Sequence, residues 1–496
     1  MPLLIRSSLG QATAYAVLAG LSTMLLSACA AGPDYVLPTV PVNAAALSAY
    51  KEDGAWRTAQ PAAVDAGAPW WSWYGDPQLT ALVEQANQAN QTLLRAEAQY
   101  RQAQAAVQGA AAAYYPTLSG NASGQRGQAK NSNGVSTLGD SHAWALQAAW
   151  EPDLWGRVSR SVEGAQDTAQ ATQADLAAAQ LGIQATVVNN YIQLRLIDQQ
   201  KTLYARTLEG YRKSLQLTQA QYRSGVAMRS DVALAQSTLA TAEAQAIDIE
   251  LTRRQLEHAL AVLLGKTPAE FSLPSASLAV RLPTLPLGLP SELLQRRPDV
   301  AGAERRVASA NAQIGVAEAA WFPHFTLSAS GGFSGAGLTS WAATPDKVWA
   351  LGFALAGTLF DGGLRSSQTA QARAAFDVAA ANYRQTVLGG FQEVEDNLAA
   401  LNELAQERAA QDRAVVAARD SERVLLSQYR AGTTTYLSVI TAQNLALTAE
   451  RTALQLQARE YAASVALVKA VGGGWNAAQP EGALPQIQAT PVAKTE

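Results

Sequence analysis

The chain carries the same pattern twice. Tyr114-Tyr115-Pro116 returns as Trp321-Phe322-Pro323, so Pro116 and Pro323 stand 207 residues apart. Gly156 and Gly363, Gly182 and Gly389, and Asn190 and Asn397 keep that offset. Tyr222-Arg223-Ser224-Gly225 matches Tyr429-Arg430-Ala431-Gly432, and Ala235-Gln236, Ala242-Glu243 and Gly265 match Ala442-Gln443, Ala449-Glu450 and Gly472. A gapless offset held across roughly 150 residues marks one structural unit used twice. Whatever one copy folds into, the other must fold into as well.

Each copy has the same internal order. A lead-in rich in Ala and Gln, Pro77 to Tyr114 and then Asp299 to Ala320, is composed of strong helix formers. An aromatic-aromatic-Pro ends it, because proline disfavours helix in the residue before it. Two stretches of period two follow, expected as strands over about 116–127 and 140–152 in the first copy and 323–334 and 347–360 in the second. Phe325, Leu327, Ala329 and Phe333 alternate with Thr326, Ser328 and Ser330, and Trp349, Leu351, Phe353, Leu355 and Leu359 alternate with small residues. One face large and apolar, the other small or polar, is the pattern of a transmembrane β-barrel. Trp144, Trp150 and Trp349, read as strand-end aromatics, suit a membrane interface.

Four strands cannot close a barrel, and an open edge in lipid leaves backbone groups unpaired. Two copies of the chain would supply eight strands and three would supply twelve. Next comes a long helix, Arg157 to Arg223 and again Leu364 to Arg430, on the order of 100 Å at about 1.5 Å per residue. Breaks at Gly225 and Gly432 precede return helices from about Ser230 to Leu264 and through Val471. Spaced Leu and Val among many Ala suit close coiled-coil packing, and the Gln and Thr between them suit a water-filled tube. The fold class expected from these patterns is mixed, a transmembrane β-barrel joined to long coiled-coil α-helices.

The N-terminus has its own signal. Arg6 precedes an uncharged run from Ala12 to Leu26, too short for a transmembrane helix and suited to a secretory signal. Leu26-Ser27-Ala28-Cys29 resembles the bacterial lipobox, which would make Cys29, the only cysteine, an acylated mature N-terminus. Each buried acyl CH₂ contributes about 0.8 kcal/mol to membrane anchoring. Ala30 rather than Asp follows, so by resemblance to lipoproteins of enteric-type bacteria the destination is the outer membrane. The expected divisions are a signal peptide at 1–28, a lipidated segment at 29–76, repeat 1 at 77–265, a Pro-rich linker at 266–298, repeat 2 at 299–472 and a tail at 473–496.

The chain resembles the TolC-like outer-membrane efflux factors, in the lipoprotein branch typified by OprM and NodT. The landmarks are Gly32-Pro33-Asp34-Tyr35, Trp70-Trp71-Ser72-Trp73-Tyr74-Gly75-Asp76-Pro77, Asp153-Leu154-Trp155-Gly156-Arg157, and the run from Leu289-Pro290-Ser291 to Arg297-Pro298-Asp299-Val300. The resemblance covers nearly all of the mature chain. It implies a homotrimer with a twelve-stranded barrel in outer-membrane lipid and a helical barrel in the periplasm. It also implies a periplasmic adaptor (membrane fusion) protein and an inner-membrane RND-type pump as partners. In that family the duct closes at turns after each Tyr-x-x-Gly, here Tyr222 to Gly225 and Tyr429 to Gly432, where aspartates of the second copy narrow the pore. Those positions are Ser438 and Thr441 here, a departure from the pattern, while the first copy keeps Asp231. Asp231 is expected either to cap the return helix or to clasp Arg229, Arg223 or Arg430, with a hydrophobic ring on Leu437 as another means of closure.

The formal net charge of −3 gives no basic excess for nucleic acid. Without cysteine after Cys29, cysteine-based metal or redox chemistry is excluded from the mature fold. Leu264-Gly265-Lys266-Thr267 lacks the first glycine of a phosphate-binding loop, Leu260 standing in its place. No Gly-x-Ser-x-Gly elbow occurs. His142, His258 and His324 have no ligand spacing, so no cofactor or metal is expected. Two function classes stand: an export duct passing small molecules such as drugs, with no enzymatic activity, and an outer-membrane lipid hydrolase for which Ser328 and His324 are the candidates.

Overall fold

The computed structural model describes residues 31–40, 51–52, 69–130, 134, 136–283, 296–335 and 347–473. The signal peptide, Cys29, linker residues 284–295 and the tail from 474 lie outside the described residues. A short 3₁₀ turn, Trp70–Tyr74, is followed by α1 (Pro77–Ala89), α2 (Gln91–Ala111), β1 (Thr117–Lys130), β2 (Ser136–Trp150), α3 (Arg157–Arg223) and α4 (Arg229–Leu263). Then come α5 (Pro298–Ala319), β3 (His324–Gly335), β4 (Lys347–Ala356), α6 (Leu364–Arg430) and α7 (Tyr436–Ala470). α3 and α6 both contain 67 residues, α4 and α7 both contain 35, and every one of these bounds shifts by the sequence offset.

The chain divides into two compact units: Met1–Thr39, Tyr100–Thr172 and Gly302–Tyr383 form one, and Val40–Gln99, Gln173–Ala301 and Arg384–Glu496 the other. The first holds a four-stranded antiparallel sheet of order β1-β2-β3-β4. Pairing runs from Thr117↔Ala149 to Lys130↔Ser136, from His142↔Gly335 to Trp150↔Leu327, and from His324↔Ala356 to Phe333↔Lys347. The β1–β2 hairpin is longer than its hydrophobic alternation, because pairing needs only backbone groups and continues through polar residues such as Arg126, which sits opposite Asp140 at 3.5 Å. β4 is shorter than expected and ends at Ala356, leaving Leu359 outside the strand. Its partner β3 cannot extend backwards, since Pro323 has no N–H to donate.

The expected single lead-in helix is broken between α1 and α2. Asn90 leaves the helical region with φ −70° and ψ 121°. Its side-chain oxygen accepts from Thr92 N at 2.9 Å and Leu93 N at 3.2 Å, and its amide donates to the Leu263 carbonyl at 2.8 Å. An asparagine with a long-range partner caps a new helix more favourably than it continues an old one.

The second unit has one large apolar core. Trp70, Tyr74, Leu79 and Val83 pack on Val188 and Ile192 of α3, Val394 and Leu398 of α6, and Leu467 of α7. Its polar groups are paired: the Tyr74 and Ser464 hydroxyls lie 3.0 Å apart, and Tyr191 Oη donates to Asp76 Oδ2 at 2.6 Å. Burial, with the hydroxyl donating its hydrogen bond to Asp76, pushes the Tyr191 phenol up to about 12. The linker segment 271–283 lies across these helices. Asp198 of α3 accepts from Arg253 of α4 at 2.8 Å, Arg195 at 3.2 Å, Ser275 Oγ at 2.9 Å and Ala276 N at 3.2 Å. Arg195 also donates to the Pro274 carbonyl at 2.7 Å and Arg253 to that of Leu273. Both arginines and Asp198 are buried, so one carboxylate ties two helices and the linker together.

Burial disfavours the Asp198 anion, yet Arg253, Ser275 and Ala276 N–H together hold its carboxyl below the ordinary range. Asp198→Ala leaves two buried guanidinium groups without their shared anion and should cost about 3–5 kcal/mol, measured by denaturant unfolding in detergent. Because the folded-state value is depressed, this stabilisation is complete above the carboxyl's unfolded pKa and disappears as pH falls through the folded one. The gap between wild type and variant should therefore narrow in acid.

Candidate functional site

In the first unit the register settles which residues share a face. Leu118, Leu146, Leu327, Leu351, Phe353 and Leu355 fall on one side, and Ser119, Asn121, Gln147, Ser328 and Ser330 on the other. Among the described residues nothing covers the apolar side: Leu118, Leu351 and Phe353 are 72%, 78% and 75% exposed. A continuous face of large apolar side chains of this kind needs an apolar partner. The polar side is hydrogen-bonded to itself, with Asn121 Nδ2 donating to Gln147 Oε1 at 3.2 Å. Among the described residues, β1 pairs only with β2 and β4 only with β3, so each has one unpaired edge.

At the strand ends nearest the helices lie Tyr114, Tyr115, Trp150, Trp155, Trp321 and Phe322. Trp150 Nε1 donates to the Tyr114 carbonyl at 2.9 Å, Trp155 Nε1 to that of Pro323 at 2.8 Å, and the Trp155 and Phe322 rings stack at 4.8 Å. Such a belt suits a membrane–water boundary, where aromatic rings present one apolar and one wet edge. Trp144 is instead mid-strand, packed on its cross-strand partner Phe333 at 5.1 Å.

The segment after Cys29 is docked on this same unit. Ala31 N donates to Trp155 O at 3.1 Å, and Asn311 Nδ2 donates to Pro33 O at 3.0 Å. Tyr35 Oη donates to Glu304 at 2.5 Å. Gly32, at φ +93°, lies so close to α5 that a Cβ would stand 2.5 Å from Gly315 Cα, so no other residue fits there.

The inter-helix turns belong to the second unit. Gly225 N donates to Tyr222 O at 3.0 Å and Val226 N to Gln221 O at 2.9 Å; Gly432 N to Tyr429 O and Thr433 N to Gln428 O, both at 3.0 Å, repeat the arrangement. Both glycines are left-handed, at φ +79° and +75°, which ends each long helix with its last carbonyls satisfied. The return helices begin differently. Asp231 reaches back to accept from Met228 N at 3.1 Å, whereas the equivalent Ser438 meets the Thr435 hydroxyl at 3.2 Å. Thr441 Oγ1 donates to its own helix at Leu437 O, 2.8 Å away. The expected clasp is absent: among the described residues no ion pair joins Asp231 to Arg229, Arg223 or Arg430, and the carboxylate serves the orphan amide of its own helix start.

The two copies of the tyrosine also part company. Tyr429 is 5% exposed and Tyr222 46%. Tyr429 packs with Tyr436, Val439, Ile440 and Ala235, its ring 5.6 Å from that of Tyr436, and its hydroxyl lies 3.1 Å from the buried Thr218 Oγ1. Burial, with Tyr429 and Asp231 nearby, pushes Tyr436 up to about 12. Sequence reasoning missed Thr218 and Tyr436, because only packing between α3 and the second repeat gives them a role. Arg229, the position equivalent to Tyr436, is exposed.

A membrane-type sheet joined to paired long helices, each duplicated, defines a class of outer-membrane channel proteins. Both repeats match the model of the outer membrane efflux protein family, over residues 82–266 and 289–473, and the chain belongs to that family. It is 30% identical over 416 residues to the pyoverdine export outer membrane protein OpmQ of Pseudomonas aeruginosa, covering 82% of this chain and 87% of OpmQ. It is 30% identical over 467 residues to the toluene efflux pump outer membrane protein TtgC of Pseudomonas putida, covering 92% of this chain and 94% of TtgC. Among solved structures it is similar to the outer-membrane channel OprN, with a TM-score of 0.83 and 30% identity over 90% of this chain and 100% of that one.

Tyr429→Phe should cost about 1 kcal/mol through the lost hydroxyl pair and Tyr429→Ala about 3–5 kcal/mol through the cavity. The exposed Tyr222→Phe should stay within about 0.5 kcal/mol. Hydrogen exchange at the first turns of α7, in detergent-solubilised protein, measures the difference.

Proposed function

We propose that this chain is the exit duct of a tripartite export system, passing small molecules such as drugs from the periplasm to the exterior without chemistry of its own. The observation that carries the reading is the sheet: an uncovered apolar face, a polar face opposite, and two unpaired edges. In lipid those edges must be paired, and further copies of the chain pair them. We take the assembly to be a homotrimer closing a twelve-stranded barrel. An adaptor protein and an inner-membrane RND-type pump are its partners. Cys29 carries the lipid anchor, and the docking of residues 31–35 beside the aromatic belt supports an acyl chain entering the membrane at that level. The named relatives serve pyoverdine export and toluene efflux, which supports small-molecule cargo here.

The hydrolase reading has little geometric support. His324 and Ser328 lie four residues apart on one strand, about 13 Å at roughly 3.3 Å per residue. His324 Nδ1 sits 3.1 Å from Glu151, and Ser328 Oγ donates to Gly352 O at 3.4 Å. Purified protein should conduct ions in a planar bilayer and leave lipid esters intact. Ester hydrolysis without conductance would reverse the assignment. Native mass spectrometry should find trimers and no folded monomer, and the mature chain should begin at a lipid-modified Cys29, with Cys29→Ser giving a soluble or misprocessed precursor.

The gate lies at the two turns, with Tyr222, Gly225, Arg229 and Asp231 on one side and Tyr429, Gly432, Ser438 and Thr441 on the other. Asp231 accepts from the amide of the helix-capping residue Met228, so removing it loosens the first turn of α4. Asp231→Ala should raise resting single-channel conductance. Ser438→Asp should lower it or make it sensitive to divalent cations. Recordings unchanged in both would move the closure elsewhere, Leu437 being 62% exposed and available for an apolar ring.

A further inference from the structure

The second unit contains a cleft of about 640 Å³ between α3, α6 and α7, with linker residues 275–277 along its edge. Its size is that of a small-molecule site, and all of its lining residues belong to that one unit. The floor is apolar: Leu203 of α3, Val415 of α6, and Ala453 and Leu454 of α7. The polar groups are sorted by end. α3 and α6 both run antiparallel to α7, since Tyr211 meets Asn444 and Arg206 meets Glu450, while Arg419 meets Glu450 and Arg408 meets Glu460. One end of the cleft therefore gathers Arg206, Arg419 and Glu450, and the other gathers Gln199 and Asp412.

At the first end two guanidinium groups serve one carboxylate. Arg419 holds Glu450 at 2.5 Å, which leaves Arg206 at 3.8 Å, beyond hydrogen-bonding distance, with 64% of its side chain exposed. Arg206 can turn to an anion in the cleft without depriving Glu450 of its partner. At the second end Asp198 also lines the cleft, but its oxygens are taken by Arg195, Arg253, Ser275 and Ala276. Asp412 is exposed, and no ion pair reaches it among the described residues. Seven residues separate Gln199 from Arg206, and seven separate Asp412 from Arg419. The available cation and the available carboxylate thus stand about 10 Å apart along the helices, with the apolar floor between them. We propose that this cleft binds a small zwitterion with an apolar body, its anionic group on Arg206 and its cationic group on Asp412. A purely anionic ligand leaves Asp412 unanswered, and a purely cationic one meets two arginines. The site lies within one chain, so it does not depend on the assembly proposed above.

Isothermal titration of the full-length protein in detergent tests this. The probe is a biphenyl with a carboxylate at one para position and an aminomethyl group at the other, a rigid rod with one charge at each end. Wild type should bind one molecule per chain. Arg206→Gln and Asp412→Asn should each weaken binding about tenfold or more, and Ala453→Trp, which fills the floor, should abolish it. Arg206 and Asp412 are exposed, so both variants should keep the native mass of wild type. Biphenyl carboxylate without the amine should bind wild type more weakly than the zwitterion, and Asp412→Asn should not weaken it further. Absence of saturable zwitterion binding by wild type overturns the proposal. So does unchanged affinity in Arg206→Gln and Asp412→Asn, or an amine-free probe that binds wild type as tightly as the zwitterion.

Discussion

Backbone hydrogen bonding in hydrocarbon governs this molecule. Each peptide group taken into lipid without a partner costs several kcal/mol, and four strands in a row leave two edges bare. Within one chain nothing pairs β1 or β4 on its outer side among the described residues. The strands are long enough for the task, the shortest having 10 residues, close to what a tilted strand needs to cross a bilayer. The chain therefore supplies a sheet whose two outer strands each keep one unpaired edge among the described residues.

In the second unit the constraint is charge rather than backbone. A carboxylate and two guanidinium groups are withdrawn from water around Asp198, and such groups are tolerated only when each is hydrogen-bonded on every side. The linker supplies what the helices lack: Ser275 and Ala276 donate to Asp198, and the carbonyls of Leu273 and Pro274 accept from the arginines. A proline-rich segment suits this use, because its carbonyls are not consumed by secondary structure of its own.

Much of the fold was legible because its signals are local and repeated. The long helices follow from composition and their ends from Gly225 and Gly432; the strands follow from alternation. Misreadings arose where a distant partner overrides the local signal. Asn90 sits in a helix-rich stretch, yet the Leu263 carbonyl and the amides of Thr92 and Leu93 favour a break. Leu359 continues an alternating pattern, yet Pro323, just before the neighbouring strand, stops the ladder. At the turns the sequence left two roles open for Asp231, a cap and an ion pair, and the carboxylate accepts from the Met228 amide at the start of its own helix. The unequal burial of Tyr222 and Tyr429 could not be read at all, since their local sequences are nearly the same.

The matched helix lengths carry an evolutionary consequence. Between the copies residues differ at positions such as Asp231 and Ser438, yet α3 and α6 both have 67 residues and α4 and α7 both have 35. Deleting one residue from an α-helix turns everything beyond it by about 100° and shortens it by about 1.5 Å. A lone deletion in α3 would put its turn out of phase with that of α6, and every lateral contact past the lesion would miss. Substitution is a private matter for each copy, but length is held in common. Such a protein can explore new surfaces residue by residue, while any change of span has to occur in both halves at once.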